Sequence, residues 1–322
     1  MIPNFQTEDE KIKIFYGDSL SVLFEIEDES INTCVTSPPY YGLRDYGIEG
    51  QYGLESTPDE YIEVLVNVFR EVRRVLRNDG TLWINLGDSY CANRTYQVSP
   101  TKHKNLLFGK SNASKVPDGL KPKDIMGIPW RVAFALQKDG WFLRQDIIWN
   151  KTNPMPESVK DRCTKSHEYI FLLSKSQKYY YDNESIKEPV AESTIQRLSQ
   201  VNLKNQNGSE RVPGKTNGNM KAVGDCEKRN KRSVWSVSTK PYKEAHFATF
   251  PEDLIIPCIL AGCPEDGLVL DPFSGSGTTG IVSLKLNRRF LGIEINKEYI
   301  DISEKRINDT LFDNKFKSNK LF

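Results

Sequence analysis

Leu268-Val269-Leu270-Asp271-Pro272-Phe273-Ser274-Gly275-Ser276-Gly277-Thr278-Thr279 reads as a strand, a tight turn and the start of a helix. The apolar run is a buried-strand pattern. Pro272 and the glycines end it, and glycine lets the backbone approach a ligand closely. The helix expected over about Thr279 to Leu286 turns its free N–H groups toward that loop. A P-loop would need GxxxxGK[ST], and no lysine follows these glycines, so the loop is ill suited to a triphosphate. The next expected strand, Arg289 to Ile295, carries Glu294, 23 residues beyond Asp271.

In nucleoside-binding α/β folds, an acidic residue about 20 residues past such a loop accepts hydrogen bonds from ribose hydroxyls. Asp271 ends its own strand, where a carboxylate suits the cationic amino-acid end of a ligand. S-adenosylmethionine has both a ribose and a positive end. The loop and Glu294 together therefore point to that cofactor, with no metal required.

Working outward, strand and helix patterns alternate. Lys13 to Tyr16 and Thr33 to Thr36 read as strands. Thr57-Pro58-Asp59-Glu60 opens a helix, with Thr57 as N-cap, Pro58 in the first turn and Glu60 closing a capping box. Ile62, Leu65, Phe69, Val72, Val75 and Leu76 follow at helical spacing, with Arg73, Arg74 and Arg77 in the last turn. Asn78-Asp79-Gly80 is read as the stop, before a strand over Thr81 to Leu86. A helix is expected over Pro129 to Lys138, and strands over Trp141 to Asn150, Glu168 to Leu173 and Lys178 to Tyr181. A last helix runs from Lys297 to about Asp309. Repeated strand–helix–strand units imply an α/β fold with a largely parallel sheet.

The chain has 322 residues, 38% of them hydrophobic, and a formal net charge of only +1, so charge alone does not mark a nucleic-acid binder. The distribution of charge is more telling. Asn93 to Asp124 carries seven Lys/Arg against two Asp, and Asn183 to Arg232 ten Lys/Arg against six Asp/Glu. Both stretches are poor core material; they read as solvated loops or as phosphate contacts to DNA. No segment approaches the ~18 consecutive apolar residues of a membrane span, and Met1 to Lys13 has no secretory apolar region. A cytoplasmic protein with no membrane association is expected. The six cysteines are scattered without a CxxC pair, which argues against zinc and for reduced thiols.

Thr36-Ser37-Pro38-Pro39-Tyr40 follows a strand. Read alone, Pro-Pro is a strand terminator. Read chemically, it suits an exocyclic base amine, a poor nucleophile because its lone pair is delocalised into the ring. Two acceptors, Ser37 Oγ and the Pro38 carbonyl, can take its two N–H groups. Pro38 and Pro39 fix the backbone in advance, and Tyr40 supplies a ring for an extruded base.

Ser-Pro-Pro-Tyr with Asp-Pro-Phe-Ser-Gly-Ser-Gly-Thr-Thr resembles the amino-methyltransferase family of DNA-modification enzymes, and the motif order resembles their circularly permuted β group. The resemblance covers most of the chain. Tyr16-Gly17-Asp18-Ser19 resembles the adenine-contacting turn, and His246-Phe247-Ala248-Thr249-Phe250-Pro251 the segment closing over the methionine end. Asn153-Pro154-Met155-Pro156, Asp161-Arg162 and His167-Glu168-Tyr169 resemble the lining of the target-base pocket. The resemblance implies a Rossmann-like, seven-stranded, mostly parallel mixed sheet with helices on both faces. It implies a catalytic part over 1–182 with a basic insertion at 93–124, a target-recognition region over 183–245, and a cofactor-binding part over 246–322. Ser37, Pro38, Pro39 and Tyr40 are the implied catalytic residues. Asp18, Phe247, Thr249, Phe250, Pro251, Asp271 to Thr279 (Pro272, Phe273, Ser274, Gly275, Ser276, Gly277 and Thr278 between them) and Glu294 are the implied cofactor residues.

Family members with Ser-Pro-Pro-Tyr mostly methylate cytosine N4, and those with Asp-Pro-Pro-Tyr mostly adenine N6. Ser37 therefore favours cytosine N4 in double-stranded DNA, with adenine N6 as the alternative. The implied setting is restriction–modification or phage and host protection, with a cognate restriction endonuclease as partner and a monomer or homodimer as the working form. Alternatives of other classes are a non-catalytic DNA-binding protein retaining the fold and a methyltransferase acting on RNA or a small molecule. His167 is read as pocket-lining or structural rather than as a base. Trp83, Trp130, Trp141 and Trp149 are expected in or beside the core. Trp235 either touches DNA or anchors its region. Tyr41 and Arg44-Asp45-Tyr46 are expected in a loop that orders over the flipped base.

Overall fold

The structure is a computed structural model that describes residues 1–43, 47–91, 116, 119–198, 228–239 and 250–318. In chain order its elements are β1 (Phe5–Gln6), β2 (Ile12–Tyr16), α1 (Ser19–Phe24), β3 (Ile31–Thr36), α2 (Pro58–Val75) and β4 (Leu76–Leu86). There follow α3 (Ile128–Lys138), β5 (Phe142–Lys151), β6 (His167–Ser174), β7 (Glu188–Pro189), α4 (Glu192–Leu198), β8 (Lys228–Arg229) and β9 (Val234–Val237). The chain closes with α5 (Glu252–Gly262), β10 (Leu268–Asp271), α6 (Thr278–Lys285), β11 (Arg289–Glu294) and α7 (Lys297–Ser318). It divides into two units, Met1–Tyr181 with Ser233–Phe322, and Asp182–Arg232.

The larger unit is built on one mixed sheet of order β1-β2-β11-β10-β3-β4-β6-β5-β9. Strands β2, β11, β10, β3 and β4 are parallel neighbours, while β6 pairs antiparallel with both β4 and β5. Helices cover both faces: α1, α2 and α3 pack together, as do α5, α6 and α7. This is the expected Rossmann-like architecture, with nine strands among the described residues where seven are expected. The two additions are edge strands too short to stand out by period: β1 is two residues long and β9 four.

The hydrophobic core under α1–α3 gathers Leu65, Phe69 and Val72 of α2 with Cys34, Leu82, Ile84, Leu270 and Ile293 of the strands. α2 begins as expected. Thr57 Oγ1 accepts from the Glu60 N–H at 3.2 Å, and Glu60 Oε2 accepts from the Thr57 N–H at 3.3 Å. It ends earlier than expected, at Val75, and Leu76 enters β4 directly with φ −68° and ψ 140°. Arg77 is therefore outside the helix. Asn78-Asp79-Gly80 is an irregularity inside β4, between the pairs Ile31–Leu76 and Thr33–Thr81.

Lys178 to Tyr181 is not a strand. Tyr181 stacks on Trp83 at 6.3 Å between ring centroids, so its aromatic character serves packing rather than pairing. Helix α5 escapes the sequence reading because Pro257 lies inside it. Helix α7 runs on to Ser318, well past Asp309. Trp83, Trp141 and Trp149 are buried, and Trp130 packs against the core. Trp235 is buried on β9, which belongs to the main sheet, so it anchors its segment there. The second unit carries the antiparallel ribbon β7–β8 and helix α4, with Glu188 paired to both Arg229 and Arg232. Among the described residues no helix is long and apolar enough to cross a membrane.

In such sheets ligands bind beyond the carboxyl ends of the strands, at the point where connections diverge to opposite faces. Here that point lies between β3, which feeds α2, and β10, which feeds α6. The capping box of α2 holds the connection that returns from it. Thr57→Ala should lower unfolding free energy by about 1 kcal/mol, read from urea denaturation; a change within error would mean the box contributes nothing net.

Candidate active site

Five parallel strands end on one rim, and each end carries a polar residue of the site. β2 leads to Asp18, β11 ends in Glu294, β10 ends in Asp271, β3 leads to Ser37, and Asn85 lies at the end of β4. A cleft of about 890 Å³ opens over them. Its lining includes Ser37, Pro38, Pro39 and Tyr40 as well as Asp18, Phe250, Asp271, Pro272, Phe273, Ser274, Gly275, Ser276, Thr278 and Glu294. Two motifs more than 230 residues apart in sequence thus share one cavity. Gly277, Thr279 and Pro251 do not line it; Pro251 is the N-cap position of α5. Phe247 and Thr249 lie outside the described residues, as do Arg44-Asp45-Tyr46.

Local chemistry explains the loop. Asp271 is 1% exposed, and both carboxylate oxygens are engaged by the protein. Oδ1 accepts from Thr36 Oγ1 at 2.6 Å and from the Phe273 N–H at 3.1 Å, while Oδ2 accepts from Thr279 Oγ1 at 2.6 Å. Burial pushes its carboxyl up to about 6 against the lowering effect of these donors. Gly277 adopts φ +78°, a left-handed conformation, and a Cβ there would come within 2.9 Å of Ser303. α7 braces the loop from behind. Ser303 Oγ donates to the Gly275 carbonyl at 2.9 Å, and Arg306 Nη1 donates to the Ser276 carbonyl at 2.6 Å.

Glu294 is 9% exposed and faces the cleft. Its oxygens accept from the N–H groups of Gly275 at 2.7 Å and Asn296 at 2.8 Å. Burial raises its carboxyl to about 7. Asp18 caps α1 by accepting from the Ser21 N–H at 2.9 Å and also accepts from the Tyr52 hydroxyl. The fit to S-adenosylmethionine follows from this donor set. Each Glu294 oxygen keeps acceptor capacity for a ribose hydroxyl. Among the described residues the Ser274 hydroxyl is buried beside Gly292 without a hydrogen-bond partner. Two buried carboxylates suit a cationic ligand.

The Ser37–Tyr40 turn is held from several sides. Tyr61, in α2, donates its hydroxyl to the Pro39 carbonyl at 2.8 Å. Tyr40 donates to Glu168 Oε2 at 2.7 Å, with Asn85 Oδ1 a second acceptor at 3.1 Å. Its ring lies so close to Gly87 that a Cβ there would sit 2.6 Å from Cε2. Tyr41 is buried and packs on Tyr61 at 5.5 Å rather than over the cleft. Leu43 lines the cleft instead.

Pro154 and Met155 line the cleft, as does Glu168, whereas His167 does not. Neighbours on a strand face opposite ways, and His167 meets Tyr169 edge-on at 5.4 Å. Asn85, Gly87, Lys151 and Lys165 have no motif of their own; their signal is position, at or just beyond the ends of β4 and β5 and on the loop before β6. Lys165 donates to the Asp88 carbonyl at 2.9 Å, and burial lowers its ammonium below the ordinary lysine range.

A DNA methylase family model of the N6/N4 type matches residues 31–305. The type II methyltransferase M.Cfr9I of Citrobacter freundii is 50% identical over 295 residues, 91% of this chain and 87% of its own. M.SmaI of Serratia marcescens is 48% identical over 296 residues, 92% of this chain and 90% of its own. The solved PvuII DNA methyltransferase, described as cytosine-N4-specific, matches with a TM-score of 0.61 at 20% identity, over 96% of this chain and 93% of that one. A DNA modification methylase of Thermus thermophilus, solved with S-adenosylmethionine, matches with a TM-score of 0.56 at 22% identity, over 92% and 93%. These two likenesses bear on the fold alone. With half of its aligned residues shared with a type II enzyme and the family match spanning both motifs, this chain belongs to the N6/N4 family of DNA methylases, S-adenosylmethionine-dependent methyltransferases.

Proposed function

We propose that this chain methylates the N4 amine of cytosine in duplex DNA, as the modification partner of a restriction endonuclease. The observation that carries the reading is Ser37 at the rim of the cofactor cleft, a neutral hydroxyl where adenine-specific members mostly carry a carboxylate. We also read the chain order, catalytic strand β3 before cofactor strand β10, as the permuted arrangement of the family.

In this reading a flipped cytosine enters the cleft against the Tyr40 ring. Ser37 Oγ and the Pro38 carbonyl accept its two N4–H groups and favour a pyramidal nitrogen whose lone pair is free. The cofactor supplies a methyl group activated by a sulfonium. Glu294 receives the ribose hydroxyls, Asp18, Phe250 and Phe273 help to line the cofactor end, and Asp271 keeps the loop in register with the catalytic turn. The Tyr61 bond to Pro39 and the close Gly87–Tyr40 approach hold the acceptors before the base arrives. Lys/Arg of 93–124 and 183–232 contact phosphates, and the latter stretch lies within the target-recognition region.

Duplex DNA methylated with labelled cofactor and hydrolysed to nucleosides should yield N4-methylcytosine; N6-methyladenine would refute the base assignment, and no label would refute the activity. Ser37→Ala should cut single-turnover methylation about 10²–10³-fold with cofactor affinity unchanged within about twofold. Gly87→Ala should displace Tyr40 and lower the same rate at least about tenfold, again with normal cofactor binding by calorimetry. Ionised Glu294 is the form that accepts the ribose hydroxyls and attracts a cation. Cofactor affinity should therefore climb as pH rises to about 7 and level off above it. Glu294→Gln should bind more weakly and lose the part of the climb above about pH 6, where Asp271 is already ionised.

A further inference from the structure

Glu168 stands on β6 beside the Ser37–Tyr40 turn, and its side chain is 13% exposed. Its two oxygens are used differently. Oε1 is paired with Lys151 Nζ, which also lies 4.6 Å from the centre of the Trp149 ring. Oε2 accepts from the Tyr40 hydroxyl at 2.7 Å and from Asn85 Nδ2 at 3.2 Å. The four residues come from β5, β6, β4 and the catalytic turn.

The directions of these hydrogen bonds follow from what each group is able to do. An ionised carboxylate only accepts. Tyr40 must therefore spend its one proton on Glu168 and the adjoining Asn85 Oδ1, which leaves its oxygen as an acceptor. Asn85 Nδ2 is held by two acceptors, Glu168 Oε2 and the Tyr169 carbonyl at 3.1 Å, so the amide cannot reverse without losing both. Its Oδ1 is then the atom turned to Ser37. Ser37 Oγ lies 3.5 Å from the Tyr40 hydroxyl oxygen and 3.5 Å from Asn85 Oδ1. Both neighbours accept and neither donates. The Ser37 proton turns toward them, and its lone pairs are left for whatever enters the cleft. Such contacts are commonly long before substrate binds and tighten afterwards.

We propose that Glu168, held by Lys151, is a positioning residue that sets the donor–acceptor direction of Tyr40, Asn85 and Ser37, so that Ser37 meets the target amine as an acceptor. The inference rests on the reading of Ser37 as acceptor for that amine. It makes Glu168 act through Ser37 alone, which a merely structural residue would not do.

The test is a double-mutant cycle on single-turnover methylation of cognate duplex DNA, with cofactor and DNA affinities and thermal midpoints measured alongside. Glu168→Gln keeps the shape but offers an amide donor to Tyr40 or Asn85. The rate should fall at least about tenfold, with affinities within about twofold of the parent. In the Ser37→Ala background the same substitution should change the rate by less than about twofold. Lys151→Gln should show the same pattern with a smaller loss, and it serves if Glu168→Gln does not fold. An equal loss from Glu168→Gln with and without Ser37 would overturn the proposal while leaving the role of Ser37 intact. Wild-type turnover in Ser37→Ala would instead remove the reading on which it rests. Weakened cofactor or DNA binding with an unchanged single-turnover rate at saturation would also overturn it.

Discussion

The buried carboxylate of Asp271 joins the two halves of the site. It ends β10, at the centre of the sheet, and takes hydrogen bonds from the end of β3, from the start of α6 and from the loop between. Thr36 immediately precedes Ser37, so a shift of the loop after β10 moves the Ser37–Tyr40 turn with it. Hydrogen bonds to a charged group contribute about 1.5–3 kcal/mol each, and three of them act on one residue. The desolvation they offset is real: burial leaves the carboxyl less acidic than an ordinary aspartate. The folded chain therefore holds this proton more tightly than the unfolded chain, and ionising Asp271 costs stability as pH rises from about 4 to about 6. Glu294 adds a cost of the same sign up to about pH 7. A cationic ligand offsets both.

The same bridge explains why distant sequence motifs meet. β3 and β10 are parallel neighbours that feed helices on opposite faces, and the crevice between their carboxyl ends follows from topology. What the sequence adds is chemistry at each strand end. Asp18, Glu294, Asp271, Ser37 and Asn85 fall at the ends of successive strands, a row of polar groups across the rim. The smaller unit, Asp182–Arg232, is a separate insertion between Tyr181 and Ser233, and its boundaries fall where polar residues replace apolar ones.

Features that depend on neighbours in sequence are legible in the sequence itself. The Thr57–Glu60 capping box, the strand before Asp271, the turn at Ser37 and the placing of Glu294 all rest on spacings of a few residues or on one strand–helix–strand unit. Features that depend on packing are not. Nothing local marks Lys178 to Tyr181 as unpaired, since Tyr181 owes its setting to Trp83, nearly 100 residues away. α2 stops before Asn78-Asp79-Gly80 because Leu76 is drawn into the sheet beside Ile31. Asn85, Lys151 and Glu168 belong to three strands, and their pairing exists only once β4, β6 and β5 are in register.

That pairing bears on why position 37 carries serine. The protein atoms facing Ser37 Oγ are a hydroxyl whose proton is committed to Glu168 and an amide oxygen whose orientation is locked. A side chain there has to give a proton to its surroundings and still accept from a base. A hydroxyl does both. A carboxylate only accepts; it would meet Asn85 Oδ1 with no proton between them and compete with Glu168 for the Tyr40 proton. It would also set a second negative charge near the Glu168–Lys151 pair, at a cost that limited exposure to water magnifies. Serine at 37 and glutamate at 168 are therefore linked choices: with the negative charge placed behind the tyrosine, the group that meets the base in the proposed reaction is left neutral.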